Sequence, residues 1–90
     1  MTSLHAVISG LVQGVGFRYF AAQTASRLDI SGFTRNLITG EVEVHATGER
    51  ERLEEFLVAL RRGPRASMVR DVRVQWDEAS HAGFVGFEIR

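Results

Sequence analysis

The sequence predicts a two-layer α+β sandwich, in which two helices cover one face of an antiparallel sheet. Segments with strand periodicity and segments with helical periodicity alternate in the order β-α-β-β-α-β, and a short further strand ends the sequence. Each predicted helix has one apolar stripe, and two such helices cannot cover both faces of a four- or five-stranded sheet. We therefore expect a ferredoxin-like arrangement, and 90 residues suffice for a single domain over residues 1–90.

The first half of the chain contains three predicted strands and one predicted helix. The first strand, Leu4 to Ser9, alternates and is rich in β-branched and aliphatic residues. Ile30 to Asn36 and Glu41 to Thr47 are predicted to pair as a hairpin around the turn at residues 37–40. A helix over about residues 17–28 is indicated by residues at helical spacing: Phe17, Phe20, Ala21, Thr24 and Leu28.

The second half contains the clearest helical stripe, which is formed by Leu53, Phe56, Leu57 and Leu60. Acidic residues suit the first turn of this helix and arginines its last turn, and Gly63-Pro64 ends it. Val72, Val74 and Trp76 alternate and predict a fourth strand. A linker from Asp77 to Gly83 then leads to a short final strand, Phe84 to Ile89.

The composition restricts the classes of function. Eleven basic and eleven acidic residues balance, so no overall field draws nucleic acid or an anionic membrane, and any anion must be bound locally. The chain has no cysteine, which excludes disulfides and thiolate chemistry. The first residues lack the pattern of a signal peptide, and no apolar run reaches transmembrane length. We expect a soluble cytoplasmic monomer with no nucleic-acid or membrane partner.

A glycine-rich loop between the first strand and the first helix is the strongest candidate site. It lies within the segment from Ile8 to Arg18, which reads ISGLVQGVGFR. Arg18 falls in the first turn of the helix, where a cation opposes the helix dipole. Free main-chain N–H groups, small residues and a guanidinium together indicate a seat for a tetrahedral anion such as a phosphoryl group. The alternative is a tight turn whose glycines only supply unusual backbone angles, with Arg18 in solvent.

Other known phosphate motifs and metal sites do not match the sequence. No Gly-Lys-Ser/Thr follows the loop, so it is not a P-loop, and Tyr19 stands where a dinucleotide fingerprint needs its third glycine. His5, His45 and His81 lie far apart and show no ligand spacing, so we expect no metal.

Asn36 is the second candidate, at the end of the second strand. If that strand lies beside the first, Asn36 comes close to the mouth of the loop. Its amide has one acceptor and two donors, so it can hold a water and a phosphoryl oxygen together. The alternative is that Asn36 only begins the hairpin turn, where asparagine is common.

Taken together, the two segments resemble the acylphosphatase family. The family's first motif is matched by Ile8, Gly10, Val12, Gln13, Gly14, Val15, Phe17 and Arg18, and its second by Gly32, Phe33, Asn36, Gly40, Val42 and Gly48. Gly63, Pro64, Ala66, Val69, Val72 and Trp76 also resemble the family's stretch from second helix to fourth strand. The resemblance therefore covers nearly the whole chain.

This resemblance implies hydrolysis of acyl phosphates to a carboxylate and inorganic phosphate, without metal or cofactor. It implies that Arg18 and Asn36 are catalytic, with Asn36 positioning the attacking water. The phosphoryl oxygens would be bound by Arg18 and by the loop residues Gly14, Val15, Gly16 and Phe17. A non-catalytic anion-binding module of the same fold is the alternative.

Two positions depart from the family pattern, and a third question stays open. Thr34 stands where a small aliphatic residue is usual, and Arg65 follows Pro64 where a second proline is common. In some relatives the C-terminal carboxylate lies near the catalytic arginine, and the sequence leaves open whether the carboxylate of Arg90 contacts Arg18.

Overall fold

The computed structural model describes residues 1–78 and 85–90, and its elements follow the predicted order. The strands and helices are β1 (Thr2–Leu11), α1 (Phe17–Arg27), β2 (Ser31–Asn36), β3 (Val42–Gly48), α2 (Arg50–Arg62), β4 (Met68–Asp77) and β5 (Phe87–Ile89).

The strands form one sheet in the order β4-β1-β3-β2-β5. β1 pairs antiparallel with β3 and β4, and β2 pairs antiparallel with β3, which confirms the predicted hairpin. β5 adds a parallel pair with β2, so the sheet is mixed, whereas we expected antiparallel pairing throughout. The ferredoxin-like fold with two helices is confirmed.

The expected proximity of β2 to β1 is wrong, because β3 lies between them. Both β1 and β2 run antiparallel to β3, so the two strands are parallel to each other. Their carboxyl ends therefore meet at one edge of the sheet. The loop after β1 and Asn36 at the end of β2 reach this edge without their strands being neighbours.

One face of the sheet carries the core, as strand alternation requires. Alternate residues of the central strands are buried against both helices, and Phe17 and Phe56 are among the largest side chains in this core. Burying one such ring stabilises a fold by about 1.5–3 kcal/mol. The remaining core residues are Leu4, Ala6, Ile8, Val12, Ala21, Ala25, Leu28, Ile30, Val42, Val44, Ala46, Leu53, Leu57, Leu60 and Val72.

Several boundaries differ from the sequence prediction. β1 is longer than expected at both ends, and its pairing with β4 shifts between Ser9 and Gly10. Gly10 has φ +123°, and a Cβ there would lie 2.1 Å from the main-chain oxygen of Met68. The bulge therefore requires glycine. β5 covers only Phe87–Ile89 of the strand expected to begin at Phe84.

The rest of that prediction falls on residues 79–84, including Phe84 and His81, which lie outside the described residues. The second helix begins after Glu49 and ends at Gly63, which has φ +69°. In the described part of the chain, no helix has the length and apolarity to cross a membrane.

Candidate active site

The loop after β1 turns into α1 through two glycines in left-handed conformations. Gly14 has φ +75°, and Gly16, the N-cap of α1, has φ +80°. A Cβ at either position would meet nothing within 4 Å, so the backbone conformation, not lack of space, requires glycine here. The open space leaves the loop backbone accessible to a ligand.

The start of α1 presents main-chain donors to this space. The first N–H groups of a helix have no intrahelical partner. Here the N–H of Phe20 is the first to bond back, to the oxygen of Gly16 at 3.0 Å. No side chain caps the helix, so no side-chain oxygen competes with an anion for these donors.

Arg18 lies in the first turn of α1, and its guanidinium is tied to the other end of the chain. Its Nη1 donates to the main-chain oxygen of Arg90 at 2.9 Å. Arg90 in turn donates its main-chain N–H to the oxygen of Thr34 at 2.8 Å. The guanidinium that we expected in the anion seat is therefore held in place. The sequence left open whether Arg90 contacts Arg18, and the structure shows a direct hydrogen bond between the two residues.

Asn36, the last residue of β2, is exposed and lies opposite Val42 of β3. It lines the same cavity as Arg18 and the two loop glycines, a space of ≈ 240 Å³. The full lining is Val12, Gly14, Gly16, Phe17, Arg18, Tyr19, Asn36 and Ile89. The structure thus brings most of the sequence-predicted site residues together.

Val15 is the exception among the predicted phosphate-binding residues. Its side chain is partly buried and packs against the core, and it does not line the cavity. Any contribution of Val15 to anion binding therefore has to come from its main chain.

Gln13 has a part in the site that sequence reasoning did not assign. Its Nε2 donates to the main-chain oxygens of Leu37, at 2.7 Å, and Glu41, at 2.8 Å. These two oxygens belong to the β2–β3 turn, so one side chain fastens the loop to the segment that follows Asn36. The available signal was the amide side chain of Gln13 in a glycine-rich loop. The periodicity of the sequence does not show that the β2–β3 turn lies close to this loop.

The electrostatics of the cavity depend on Arg18. It is the charged member of the lining, and no carboxylate or imidazole belongs to that lining within the described ranges. The Glu41 carboxylate, in the β2–β3 turn, accepts hydrogen bonds from residues outside the cavity lining. A hydrogen bond from Thr39 and a second from Arg73 at 3.1 Å lower the pKa of Glu41, which keeps it ionised. The cavity is therefore suited to an anion.

Two of the three histidines that we set aside, His5 and His45, lie on the uncovered face of the sheet. His5 Nε2 contacts Glu43 Oε2 at 2.6 Å, and His45 stacks on Phe33 with ring centroids 5.7 Å apart. Across residues 1–78 and 85–90, no three His, Asp or Glu side chains group closely enough to hold a metal ion. Arg65, one of the two departures from the family pattern, is exposed.

Comparison with known proteins identifies one family. The family model "Acylphosphatase" matches residues 4–89. An acylphosphatase of Thermus thermophilus is 48% identical over 89 residues, 99% of this chain and 99% of that protein. One of Vibrio cholerae is 46% identical over 83 residues, 92% of this chain and 90% of that protein. The crystal structure of acylphosphatase from Bacillus subtilis superimposes with a TM-score of 0.96 at 34% identity, covering 100% of this chain and 99% of that one.

Proposed function

The chain belongs to the acylphosphatase family, and we propose that it binds the phosphoryl group of its substrate in the cavity beside Arg18. Family membership gives the overall reaction, the hydrolysis of an acyl phosphate to a carboxylate and inorganic phosphate. The proposal adds which residues carry it out, namely Arg18, Asn36 and the main-chain N–H groups of the loop.

One observation carries this proposal. Arg18 from α1 and Asn36 from β2 line a single cavity together with the glycines that open the helix. A guanidinium and unpaired N–H groups stabilise negative charge, and an amide beside them can hold a neutral nucleophile. These are the two functions that phosphoryl transfer to water requires.

In the proposed mechanism the phosphoryl oxygens accept from Arg18 and from the loop N–H groups. A guanidinium has five N–H donors, so the bond to Arg90 leaves others for the phosphoryl oxygens. That bond also fixes the orientation of Arg18 before substrate arrives, so less entropy is lost in reaching the reactive geometry. Negative charge on these oxygens is stabilised most in the transition state.

Asn36 holds the attacking water. Its amide oxygen accepts a hydrogen bond from the water, and its NH₂ group donates to a phosphoryl oxygen. The water oxygen forms the new bond to phosphorus while the bond between phosphorus and the acyl oxygen breaks. The electron pair leaves with the carboxylate, and a water proton passes to a phosphoryl oxygen of the substrate.

The chemistry makes a general acid, a strong base and a metal ion unnecessary. The leaving carboxylate has a pKa of about 4–5, like Asp and Glu, so it departs without protonation. Phosphoryl transfer passes through a loose transition state with little bonding to the nucleophile, so the water needs position rather than full deprotonation. Arg18 and the N–H groups supply the charge stabilisation that a metal would otherwise give.

Phosphate release from benzoyl phosphate tests these roles. Arg18→Gln should lower kcat/KM by at least about 10²–10³, because it removes charge-assisted contacts in the transition state. Asn36→Ala should lower kcat strongly and raise the inhibition constant for inorganic phosphate by a much smaller factor, because the anion loses only one hydrogen bond from a neutral amide and keeps Arg18 and the loop N–H groups. Arg61→Gln, at an exposed arginine in the last turn of α2, is the matched control and should behave as the wild type.

Two results would contradict the proposal. If Arg18→Gln keeps more than about a tenth of wild-type activity, Arg18 does not hold the phosphoryl group. If wild-type activity disappears with EDTA and returns with added magnesium or zinc, the metal-free mechanism is wrong.

A further inference from the structure

The cavity beside Arg18 has an apolar side that phosphoryl binding does not use. Tyr19 and Ile89 both line it, and their side chains remain 62% and 47% exposed. Sites for small molecules are lined mainly by apolar and aromatic side chains, with a few polar groups that fix the orientation of the ligand. We propose that Tyr19 and Ile89 form the subsite for the acyl group, selecting small acyl phosphates whose acyl group is uncharged and apolar or aromatic.

The positions of the two residues support this assignment, which rests on the proposed function. Tyr19 directly follows Arg18 in α1, and Ile89 directly precedes Arg90, whose main-chain oxygen accepts the bond from Arg18. Both side chains also line the cavity that Arg18 lines. In an acyl phosphate a single oxygen joins phosphorus to the acyl carbon, so the acyl group must lie within a few atoms of that residue.

Both side chains are held before a ligand arrives. The hydroxyl of Tyr19 accepts from Nε2 of Gln23 at 2.8 Å, and Gln23 lies one turn further along α1, away from the loop. Tyr19 thus lines the cavity while its hydroxyl is hydrogen-bonded to a residue outside the lining. Ile89 is placed by the pairing of β5 with Thr34 of β2. Such preorganisation reduces the entropy lost on binding.

Charge and size narrow the class of acyl group. Within the described part of the chain, Arg18 is the charged residue of the lining, and it is engaged by Arg90 and by the phosphoryl group. A carboxylate or ammonium on the acyl group would be desolvated against Tyr19 and Ile89 without a partner, which is unfavourable. The volume of ≈ 240 Å³ lies below the about 300–1,000 Å³ of sites for drug-sized ligands, which favours a single ring or a short branched chain.

Measuring kcat/KM for benzoyl phosphate and for acetyl phosphate tests the subsite. Tyr19→Ala and Ile89→Ala should each lower the value for benzoyl phosphate about tenfold, which corresponds to about 1.4 kcal/mol, and that for acetyl phosphate less than about twofold. The loss should appear mainly in KM, because these contacts are alike in the ground state and the transition state. Acetyl phosphate also serves as the internal measure that each variant is folded and active.

Two further variants serve as controls. Tyr19→Phe keeps the ring and removes only the bond from Gln23, so it should keep the preference for benzoyl phosphate. Val58→Ala removes a side chain of similar exposure, 64%, from α2 outside the cavity, and it should leave both substrates unaffected. Succinyl phosphate, which carries a carboxylate on its acyl group, should be a poorer substrate than benzoyl phosphate.

The outcomes separate this inference from the proposed function. If the alanine variants lose kcat/KM equally for benzoyl and acetyl phosphate, or if both keep the wild-type ratio of the two values, the acyl subsite is wrong. Neither result would count against the phosphoryl site. A wild-type preference for succinyl phosphate would also overturn it. If the wild type released phosphate from none of these substrates, the proposed function would fail as well.

Discussion

Arg18 and Arg90 are joined by a hydrogen bond of 2.9 Å from Nη1 to the main-chain oxygen, although 72 positions separate them in the sequence. Arg90 is itself anchored, since its guanidinium lies 4.2 Å from the centroid of the Phe33 ring and its N–H bonds to Thr34. The end of an edge strand therefore sets the orientation of the arginine at the start of α1. We regard this contact as the means by which the fold orients Arg18 for the proposed binding of an anion.

This relationship predicts that lysine cannot replace Arg18. The three donors of an ammonium group share one atom and lack the planar fork of a guanidinium, so lysine cannot reproduce the geometry that bonds both Arg90 and a phosphoryl oxygen. We expect Arg18→Lys to lower kcat at least tenfold for acetyl phosphate, although the charge is kept. Steady-state kinetics measures this, and activity close to that of the wild type would show that charge alone is sufficient.

Gln13 is predicted to act as a positioning residue for the loop. Gln13→Met keeps the length of the side chain but loses both bonds to the β2–β3 turn. The expected cost is about 1–2 kcal/mol in the free energy of unfolding, together with a lower kcat, because the loop and Asn36 are no longer held at a fixed distance. Gln75→Met, at an exposed glutamine of β4, is the matched control. A fall in stability with kcat unchanged would limit Gln13 to a structural role.

Thr34, which departs from the family pattern, is predicted to cost stability. Its side chain is fully buried, and its Oγ1 has no hydrogen-bond partner among the residues that the structure describes. Thr34→Val should therefore raise the free energy of unfolding by about 1 kcal/mol in urea denaturation. Thr47→Val is the control, because Thr47 Oγ1 and Ser3 Oγ are hydrogen-bonded at 2.7 Å. Loss of this hydrogen bond should lower the free energy of unfolding. Destabilisation by Thr34→Val would show that the hydroxyl has a partner in the folded protein.

Stability is predicted to fall as the solution becomes acidic. Burial lowers the pKa of His45 below its usual 6.5, and the neighbouring His5 lowers it further. The unfolded chain then binds more protons than the folded one below about pH 6.5, so the free energy of unfolding decreases as the pH falls through the folded-state pKa. A second decrease should follow below about pH 4.5, because the hydrogen bond from His5 lowers the pKa of Glu43.

Denaturation in urea at pH 7.5 and pH 5.5 measures the first of these effects. The wild type should lose stability between the two pH values, and His45→Gln should lose less. An identical loss in both proteins would remove His45 as the cause.

Much of the fold could be predicted from local periodicity. The stripe of Leu53, Phe56 and Leu60 predicted α2, and the alternation of Val42 and Val44 predicted the buried face of β3. Periodicity shows which face of a strand is buried and says nothing of its neighbours. This is why β3 between β1 and β2, and the parallel pairing of β5, were not foreseen.

The sequence predicted residues that the structure places around one cavity, but not the contacts that hold those residues in place. Arg18 and Asn36 stand in recognisable motifs, and they do line one cavity. The bonds of Gln13 to the hairpin turn and of Arg18 to Arg90 join segments far apart in sequence, so they depend on strand order and register. The sequence also did not indicate that Tyr19 and Ile89 line the cavity, because an apolar residue in a helix or strand is usually part of the core.

Thermal unfolding in inorganic phosphate tests the central claim, that the loop and Arg18 seat a phosphoryl group. Phosphate at about 100 times its Kd should stabilise the wild type by about 2.7 kcal/mol, because it binds only the folded state. The shift in Tm should disappear in Arg18→Gln and persist in Arg61→Gln, with sodium chloride of matched ionic strength as the reference. Equal stabilisation of the wild type and Arg18→Gln by phosphate would place the anion elsewhere and contradict the account.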